Sequence, residues 1–563
     1  MYQCTNNPFP TRGGIPFASF CLCTATILVS LTASAAELTF LSTRGQDIVN
    51  ERGEKVLLRG VGLGNWLLPE GYMWKFGDRA DRPRRIEKLV SDLIGPEDAR
   101  RFWSEFRRNY ITEEDIRRIA ALGYNSVRPA LNARLLVPES ASASSEGLQC
   151  LDNLVRWCKG QGIYVIIDMH GAPGGQTGQN IDDSANDQPE LFMESRYQDQ
   201  LVDLWKSLAQ RYRNEPAVAG YDLLNEPLPQ RTGAEPKFKE KLEPLYKRLT
   251  AAVREVDPKH MIILEGADWA NDWSVFSQPF DKNLVYQFHY YCWDNPAKLK
   301  GIGQYLRYRD RLDAPVWVGE TGERDNAIYW ATTEYFEANN IGWSFWPWKK
   351  MDAENNPYSV NRPENWGAVV AYSRGGEKPA RDVAKKTFDE LLSNIQLAHC
   401  TFHPGVVNAM LRRAPARIEA ENFGQQGAGV SYAVTNPNFR SKYYRQDEPV
   451  RIELQESERR RSSGYIVLAA NEWTAYTISS EAPRSYDITL RARAAESSAE
   501  GKLAVNEHIF DVKVDDKDWA EMKLGTVSLK PGANQLKWSV TRGTAALDWL
   551  ELADKTQTTD GPK

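Results

Sequence analysis

Two short runs decide the fold: Tyr221-Asp222-Leu223-Leu224-Asn225-Glu226-Pro227 and Val316-Trp317-Val318-Gly319-Glu320-Thr321-Gly322. Each is an apolar segment of strand length that stops on a glutamate. Working outward, strands are predicted to begin near Val56-Leu57-Leu58, Asn125-Ser126-Val127, Tyr164-Val165-Ile166-Ile167, Val218-Ala219-Gly220, Met261-Ile262-Ile263-Leu264, Leu284-Val285-Tyr286, Val316 and Gly342-Trp343-Ser344-Phe345. Most are near-continuous hydrophobic runs, as strands buried on both faces require. Helical patterns fill the gaps. Thr112 can cap one helix with Asp115 at its third position, Ile116 and Ile119 facing inward and Gly123 ending it. Leu201, Leu204, Trp205, Leu208 and Tyr212 mark another. Eight strands with helical crossovers predict an α/β (β/α)8 TIM barrel. A doubly wound open sheet is the alternative, and the lack of a Gly-rich nucleotide loop after the first strand counts against it.

The 563 residues exceed one ordinary domain. Residues 36–400 are assigned to the barrel and 401–415, with His403-Pro404 and Arg412-Arg413-Ala414-Pro415, to a linker. From Ala416 polar and apolar residues tend to alternate between turn signals, which predicts an all-β antiparallel sandwich over 416–553 and a polar, disordered tail over 554–563. Residues 1–35 read as a secretory signal, with Arg12, an uncharged apolar stretch from Ile15 to Leu31, and Ala33-Ser34-Ala35 for cleavage. A membrane anchor is the competing reading, because the stretch is near the roughly 18-residue lower limit for a span. Export places the chain in a secreted, periplasmic or extracellular setting. Of the cysteines left after cleavage, Cys150 and Cys158 share one helix about 12 Å apart, too far for a bridge. At most one disulfide and no cysteine metal site are expected.

Seventy basic against 75 acidic residues, a formal net charge of -5, give no sign of a nucleic-acid or anionic-membrane partner. Eighteen Trp, 24 Tyr and 19 Phe mostly fill the core. Aromatic rings also stack on the apolar face of a sugar.

Barrel active groups cluster where strands end. Arg128 ends strand two, His170 strand three, Asn225 and Glu226 strand four, His289 and Tyr291 strand six, Glu320 strand seven and Trp346 strand eight. A lone strand-end glutamate is more often solvated or salt-bridged than catalytic, and His170 alone has a structural reading. Convergence of six strands on one face points to a site. Strands four and seven face each other across the mouth, and carboxylates about 5 Å apart are the arrangement that cleaves glycosidic bonds with retention. One carboxylate must be ionised, and its charge raises the pKa of its partner. Arg128 beside the nucleophile would keep it ionised, Asn225 could bond a sugar 2-hydroxyl, and Trp346 would floor the ring.

Asn225-Glu226-Pro227 with Gly319-Glu320-Thr321-Gly322, and Arg128, His170, His289, Tyr291 and Trp346 in order, resembles glycoside hydrolase family 5, the cellulase-type retaining barrels, from about Leu38 to Leu397. The resemblance implies Glu226 as acid/base and Glu320 as nucleophile, the other residues forming the substrate-binding shell. Arg59-Gly60-Val61-Gly62-Leu63-Gly64-Asn65-Trp66-Leu67 and Asp168-Met169-His170-Gly171-Ala172-Pro173-Gly174 are similar to the exo-β-1,3-glucanase branch, from which Gly62 and Asn65 depart. Glu323 is a competing carboxylate, with a solvated loop position as its default.

Arg417-Ile418-Glu419-Ala420-Glu421-Asn422-Phe423 and Leu547-Asp548-Trp549-Leu550-Glu551-Leu552 resemble the first and last strands of carbohydrate-binding modules of families 6 and 35. That resemblance implies a structural calcium held by Glu419, Glu421 and Asp548. A pure spacer sandwich is the alternative. Trp473 is read as core rather than as a sugar platform, and Tyr443 and Tyr444 as platform candidates.

The expectation is a monomeric, secreted retaining glycosidase that needs no catalytic cofactor. Its partner is a polysaccharide or oligosaccharide, with no nucleic acid and no membrane after signal cleavage. A β-glucan leads as substrate. Mannan, xylan, galactofuranoside or arabinofuranoside keep the chemistry and change the sugar. The rival class is a binding protein on a dead barrel, which loss of either glutamate would have favoured. The Leu68–Tyr110 insert and the Gly171–Glu194 loop are expected to wall the pocket.

Overall fold

The computed structural model describes residues 37–137, 145–292, 299, 301–442, 444–454 and 464–555. The signal sequence, Tyr443 and nearly all of the tail lie outside them. Eight parallel strands close on themselves in the order β8-β1-β2-β3-β4-β5-β6-β7. They are β1 (Arg59–Leu67), β2 (Ser126–Asn132), β3 (Tyr164–Gly171), β4 (Val218–Asp222), β5 (Met261–Glu265), β6 (Leu284–Tyr290), β7 (Val316–Gly322) and β8 (Gly342–Trp346). The first strand starts three residues beyond Val56, because Leu58 instead packs with Ile166, Ala219, Met261, Ile263, Val285 and Trp317 to plug the N-terminal end of the barrel. Leu41 and Ile48, flanking and within a short hairpin (Ser42–Arg44 with Asp47–Val49), close that plug from outside. With one end filled by apolar side chains, polar groups are left to the other.

The helix Glu113–Ala121 carries the predicted capping pair, and the cap does more than end a helix. Asp115 Oδ2 accepts from the Thr112 backbone N–H and hydroxyl, each at 2.9 Å. Its Oδ1 accepts from Trp348 Nε1 at 3.0 Å and lies 2.9 Å from Lys349 Nζ, with Lys349 and Asp115 fully buried. A buried ion pair persists only when geometry and further hydrogen bonds compensate its desolvation; here it fixes the chain as it leaves β8.

The stretch 401–415 is not an irregular linker. Thr401–Phe402 pairs with Tyr358–Val360, and Pro404–Leu411 is a helix with Pro at its first position. Val406, Val407 and Met410 bury themselves, and the helix packs on Asn326–Ala338 of the barrel. The sandwich follows as two antiparallel sheets. One has β9 (Ala416–Glu419) pairing the last strand β10 (Thr544–Asp554). The other is ordered Tyr432–Ala433, Trp473–Ser480, Gly532–Arg542, Ala499–Val505, His508–Val514. Trp473 is half-buried, with Lys537 Nζ 3.9 Å over its ring, and the buried indole is Trp538. Tyr444 is buried, so it is no platform. Cys150, Cys158 and Cys400 are thiols.

Glu337 ties barrel and connecting segment together. Arg59 of β1 holds it bidentately at 2.8 and 3.0 Å, Trp343 Nε1 of β8 donates at 3.1 Å, and Arg412 donates at 2.6 Å. Burial pushes this carboxyl up, but Arg412 and Arg59 outweigh it and hold it down at about 2. A depressed carboxyl contributes stability that is fully present above its unfolded value and lost as pH falls through the folded one. Glu337→Gln should therefore cost about 2 kcal/mol at pH 7, discounted for the partly exposed Arg59. The gap to the parent should narrow steadily from about pH 4.5 toward pH 2. Urea denaturation across that range tests it; a pH-independent gap would rule out the ion pair as the cause.

Candidate active site

Strand register sets the polar ring. Across neighbouring strands Asp168 pairs with Asp222, Glu265 with Gln287 and His289 with Glu320. Between β6 and β7 the register shifts by one residue after Phe288, leaving Gly319 as the extra residue. Bulges of this kind re-aim the side chains beyond them. Only glycine fits there, since a Cβ at 319 would lie 2.3 Å from the Gln287 side chain. Gly62 has a parallel role: its Cβ would meet the Trp346 ring at 2.3 Å.

Arg128 lies at the centre, fully buried. Its guanidinium donates to Asp222 at 2.8 Å, Glu320 Oε1 at 2.8 Å, Asn225 Oδ1 at 2.8 Å and Glu265 Oε1 at 3.0 Å, with Asp168 3.2 Å away. Glu320 also accepts from Tyr291 Oη at 2.7 Å. His289 Nδ1 stands 2.7 Å from Glu226 Oε1 and 3.6 Å from Glu320 Oε2. One oxygen of Glu226, one of Glu320 and the His289 nitrogen all lie within 4.8 Å of one another. His170 is held by Asp168 at 2.7 Å, reaches Asn225 Nδ2 at 3.3 Å, and stacks parallel to Trp346 with ring centres 5.2 Å apart. Trp346 donates its N–H to Tyr72 Oη at 3.0 Å. All eight residues picked from strand ends thus meet in one cluster.

Burial is the first influence on every titrating group here. It pushes His170 down to about 4, so this imidazole is neutral at pH 7. It works against the charged form of His289 too, but Glu265, Glu320 and Glu226 prevail and raise His289 well above the usual histidine value. Burial raises the carboxyls of Asp168 and Asp222 despite Arg128. Glu320 is raised as well, burial and Glu226 exceeding the pull of His289 and Arg128. Of these buried carboxyls Glu265 is the one lowered: His289, Arg128 and the Glu226 N–H overcome its burial.

Glu226 sits at φ +42° and Leu228 at φ +53°, the left-handed region, around Pro227. A non-glycine residue held there costs on the order of 1–3 kcal/mol and persists only where surroundings over-determine it.

Several residues of the site went unread in the sequence. Glu265 ends a strand on a glutamate, Met261-Ile262-Ile263-Leu264-Glu265, the very signal that singled out Glu226 and Glu320. Asp168 and Asp222 looked like strand residues, and Gln287 gave no signal. Tyr72 comes from the insert. Glu323 is not solvated: Lys350 Nζ pairs with it at 2.6 Å, the carboxylate being largely buried. The insert folds as helices Pro83–Ile94 and Pro96–Tyr110. Arg84 and Arg134 bind Asp183 at 3.2 and 2.7 Å, and Arg85 binds Asp187 at 2.6 Å, tying the insert and the start of the helix after β2 to the 171–194 loop.

In the sandwich, Glu421 is buried, one oxygen accepting from Gly464 N at 2.8 Å and Oε2 having no hydrogen-bond partner among the described residues. Burial, then Glu419 and Asp548, raise its carboxyl well above the usual range. Arg491 already pairs with Asp548. Glu419, Glu421 and Asp548 offer the oxygen donors a hard cation takes, but among the described residues the acids and histidine close enough together to share an ion are Glu226, Glu320 and His289.

The cellulase (glycosyl hydrolase family 5) model matches residues 94–352. A β-xylosidase of Phanerodontia chrysosporium is 28% identical over 350 residues, 56% of this chain and 71% of its own. A probable glucan 1,3-β-glucosidase A of Emericella nidulans is 30% identical over 304 residues, 51% of this chain and 71% of its own. A solved endogalactoceramidase aligns over 91% of this chain and 100% of its own at 17% identity, with a TM-score of 0.47. The chain belongs to glycosyl hydrolase family 5 and is a glycoside hydrolase acting on β-glycans.

Proposed function

We propose that the enzyme is a retaining β-glycosidase that trims a β-glucan from its end, with Glu320 as nucleophile and Glu226 as acid/base. The observation that carries this is the pairing of the two carboxylates within 4.8 Å, each with a different partner. Glu320 accepts from Arg128 and Tyr291, two donors that favour its ionised form and aim its free lone pairs. Among the described residues the Glu226 side chain has His289 as its one hydrogen-bond partner, and it is the more exposed of the two carboxylates. In the first step Glu320 attacks the anomeric carbon as Glu226 gives its proton to the leaving oxygen; in the second, Glu226 takes a proton from water, which displaces Glu320. Asn225 and His170, joined to each other, would meet the sugar 2-hydroxyl, and Trp346 the ring. The ion pairs that tie the insert to the 171–194 loop support a walled pocket and end-on cleavage. Among the described residues no helix is long and apolar enough to cross a membrane; secretion rests on the reading of residues 1–35.

Product analysis on laminarin, cellulose, mannan, xylan and furanosides tests the substrate. Glucose released from laminarin at the outset is the expected result, and mixed oligosaccharides would rule out the pocket. Xylose from xylooligosaccharides is the second reading, favoured by the relative named a β-xylosidase. Glu226→Ala and Glu320→Ala should each lower turnover by about 10³-fold or more while leaving the melting temperature within a few degrees. Glu226→Ala should keep most of its glycosylation rate on aryl glycosides with strongly activated leaving groups, and Glu320→Ala should not. Equal loss on all substrates would refute the assigned roles.

For the sandwich, we propose a carbohydrate-binding-module-like domain with a structural calcium at Glu421 and Glu419. Calcium should raise the melting temperature by several degrees over a chelated sample, and Glu421→Gln should abolish that rise. A melting temperature indifferent to calcium would mean that a proton on Glu421 and the Arg491 pair balance the site.

A further inference from the structure

Glu265 belongs to neither of the two assigned carboxylates, yet its contacts reach both sides of Glu226. It is the last residue of β5 and fully buried. Its backbone is pinned from behind, Tyr246 Oη donating to its carbonyl oxygen at 2.9 Å. Its Oε2 accepts the backbone N–H of Glu226 at 2.7 Å. Its Oε1 accepts from Arg128 at 3.0 Å and from Gln287 by a short hydrogen bond, and lies 3.4 Å from His289 Nε2. The other nitrogen of that imidazole stands 2.7 Å from the Glu226 carboxylate. One carboxylate therefore grips the peptide of Glu226 directly and its side chain through a single ring. The gripped peptide is the one at φ +42°.

Resting on the role of Glu226 as acid/base, we propose that Glu265 is a positioning residue for that acid: it clamps the left-handed peptide of Glu226 and orients His289 against the Glu226 carboxylate. A neutral side chain could not do both. The Glu226 N–H, Gln287 and Arg128 all donate to Glu265, so an amide in its place would set its own N–H₂ against a donor. The groups that face Glu265 are Arg128 from β2, Asp168 and His170 from β3, Asp222 and Glu226 from β4 and its exit, and Gln287 and His289 from β6. Among them the two cations hold Glu265 in its charged form against its burial. Gln287 Nε2 also stands 3.2 Å from His289 Nε2, but among the described residues it makes no hydrogen bond to Glu226, so Glu265 is the strand-end group that joins Arg128, His289 and the Glu226 peptide.

A clamp on the acid predicts a loss that depends on how much the leaving group needs a proton. Glu265→Gln in the full chain should lower kcat/KM about 100-fold on an alkyl or sugar leaving group. The glycosylation burst on a dinitrophenyl glycoside, which leaves without protonation, should fall less than about fivefold. The limb of the pH profile that belongs to the acid should shift. Glu265→Asp keeps the charge that Arg128 and His289 need but is one methylene too short to span both contacts; it should show the same selectivity at about tenfold, and it serves if the Gln variant does not fold. Equal loss on both leaving groups would overturn the proposal, since a collapsed charge ring would harm Glu320 alike. Full activity on both would overturn it too. If Glu226→Ala itself shows no leaving-group selectivity, the failure lies with the acid/base assignment and not with Glu265.

Discussion

Everything at the mouth of the barrel is arranged around one buried guanidinium. Arg128 has no exposure and faces Asp168, Asp222, Glu265 and Glu320 at 2.8 to 3.2 Å. An isolated charge at this depth would cost several kcal/mol, so it must be paired. Yet one cation cannot keep four neighbouring carboxylates ionised. The excess is relieved in two ways. Burial raises Asp168 and Asp222 toward their neutral forms, and His289 is raised to supply a second cation. The ring is thus a set of coupled sites whose protons belong to the group as a whole. Removing Arg128 would free every member to change state, and so would harm binding, fold and chemistry together. Its planar fork, which donates in several directions at once, is something a lysine could not replace.

Much of this could be read in the chain, and the reason is geometric. A barrel strand delivers its last residue to the mouth, so apolar runs that stop on a polar residue locate the site without any knowledge of loops. Glu320 and His289, within two residues of their strands' ends, were legible that way, whereas Arg128, read as a strand end, lies third in β2 and Glu226 lies four residues beyond the end of β4. Glu265 carried the same signal and was passed over because two carboxylates already satisfied the chemistry. Asp222 was not legible: within Tyr221-Asp222-Leu223 nothing separates an inward residue that binds Arg128 from one that bonds a neighbouring strand. Gly319 is intelligible only afterwards, once Gln287 is seen to occupy the space of its missing Cβ.

The sandwich shows where periodicity fails by one step. In Trp473–Ser480 the buried residues are Thr474, Tyr476, Ile478 and Ser480, so Trp473 falls on the outward phase. A hydrophobic side chain was given the core because of its type, whereas phase decides the face. Similarly, His403-Pro404-Gly405 looks like a break. Proline there occupies the first turn of a helix, where its missing N–H costs nothing, and the apolar Val406, Val407 and Met410 behind it were the better guide.

The charged ring and the insert that walls it come from different parts of the chain. The charged ring is fixed by strand register and cannot change without disturbing the barrel. The insert between β1 and β2 sends Tyr72 to Trp346 and places Glu70 beside the ring. Burial, then Glu320 and Glu226, raise Glu70 well above the ordinary range, and its Oε1 has no hydrogen-bond partner among the described residues. Burying an unpaired carboxylate oxygen costs free energy, and a proton on the group lessens that cost. Substitutions at Tyr72 or Glu70 therefore change the wall beside Trp346 while the strand register that holds Arg128 and its carboxylates stays as it is.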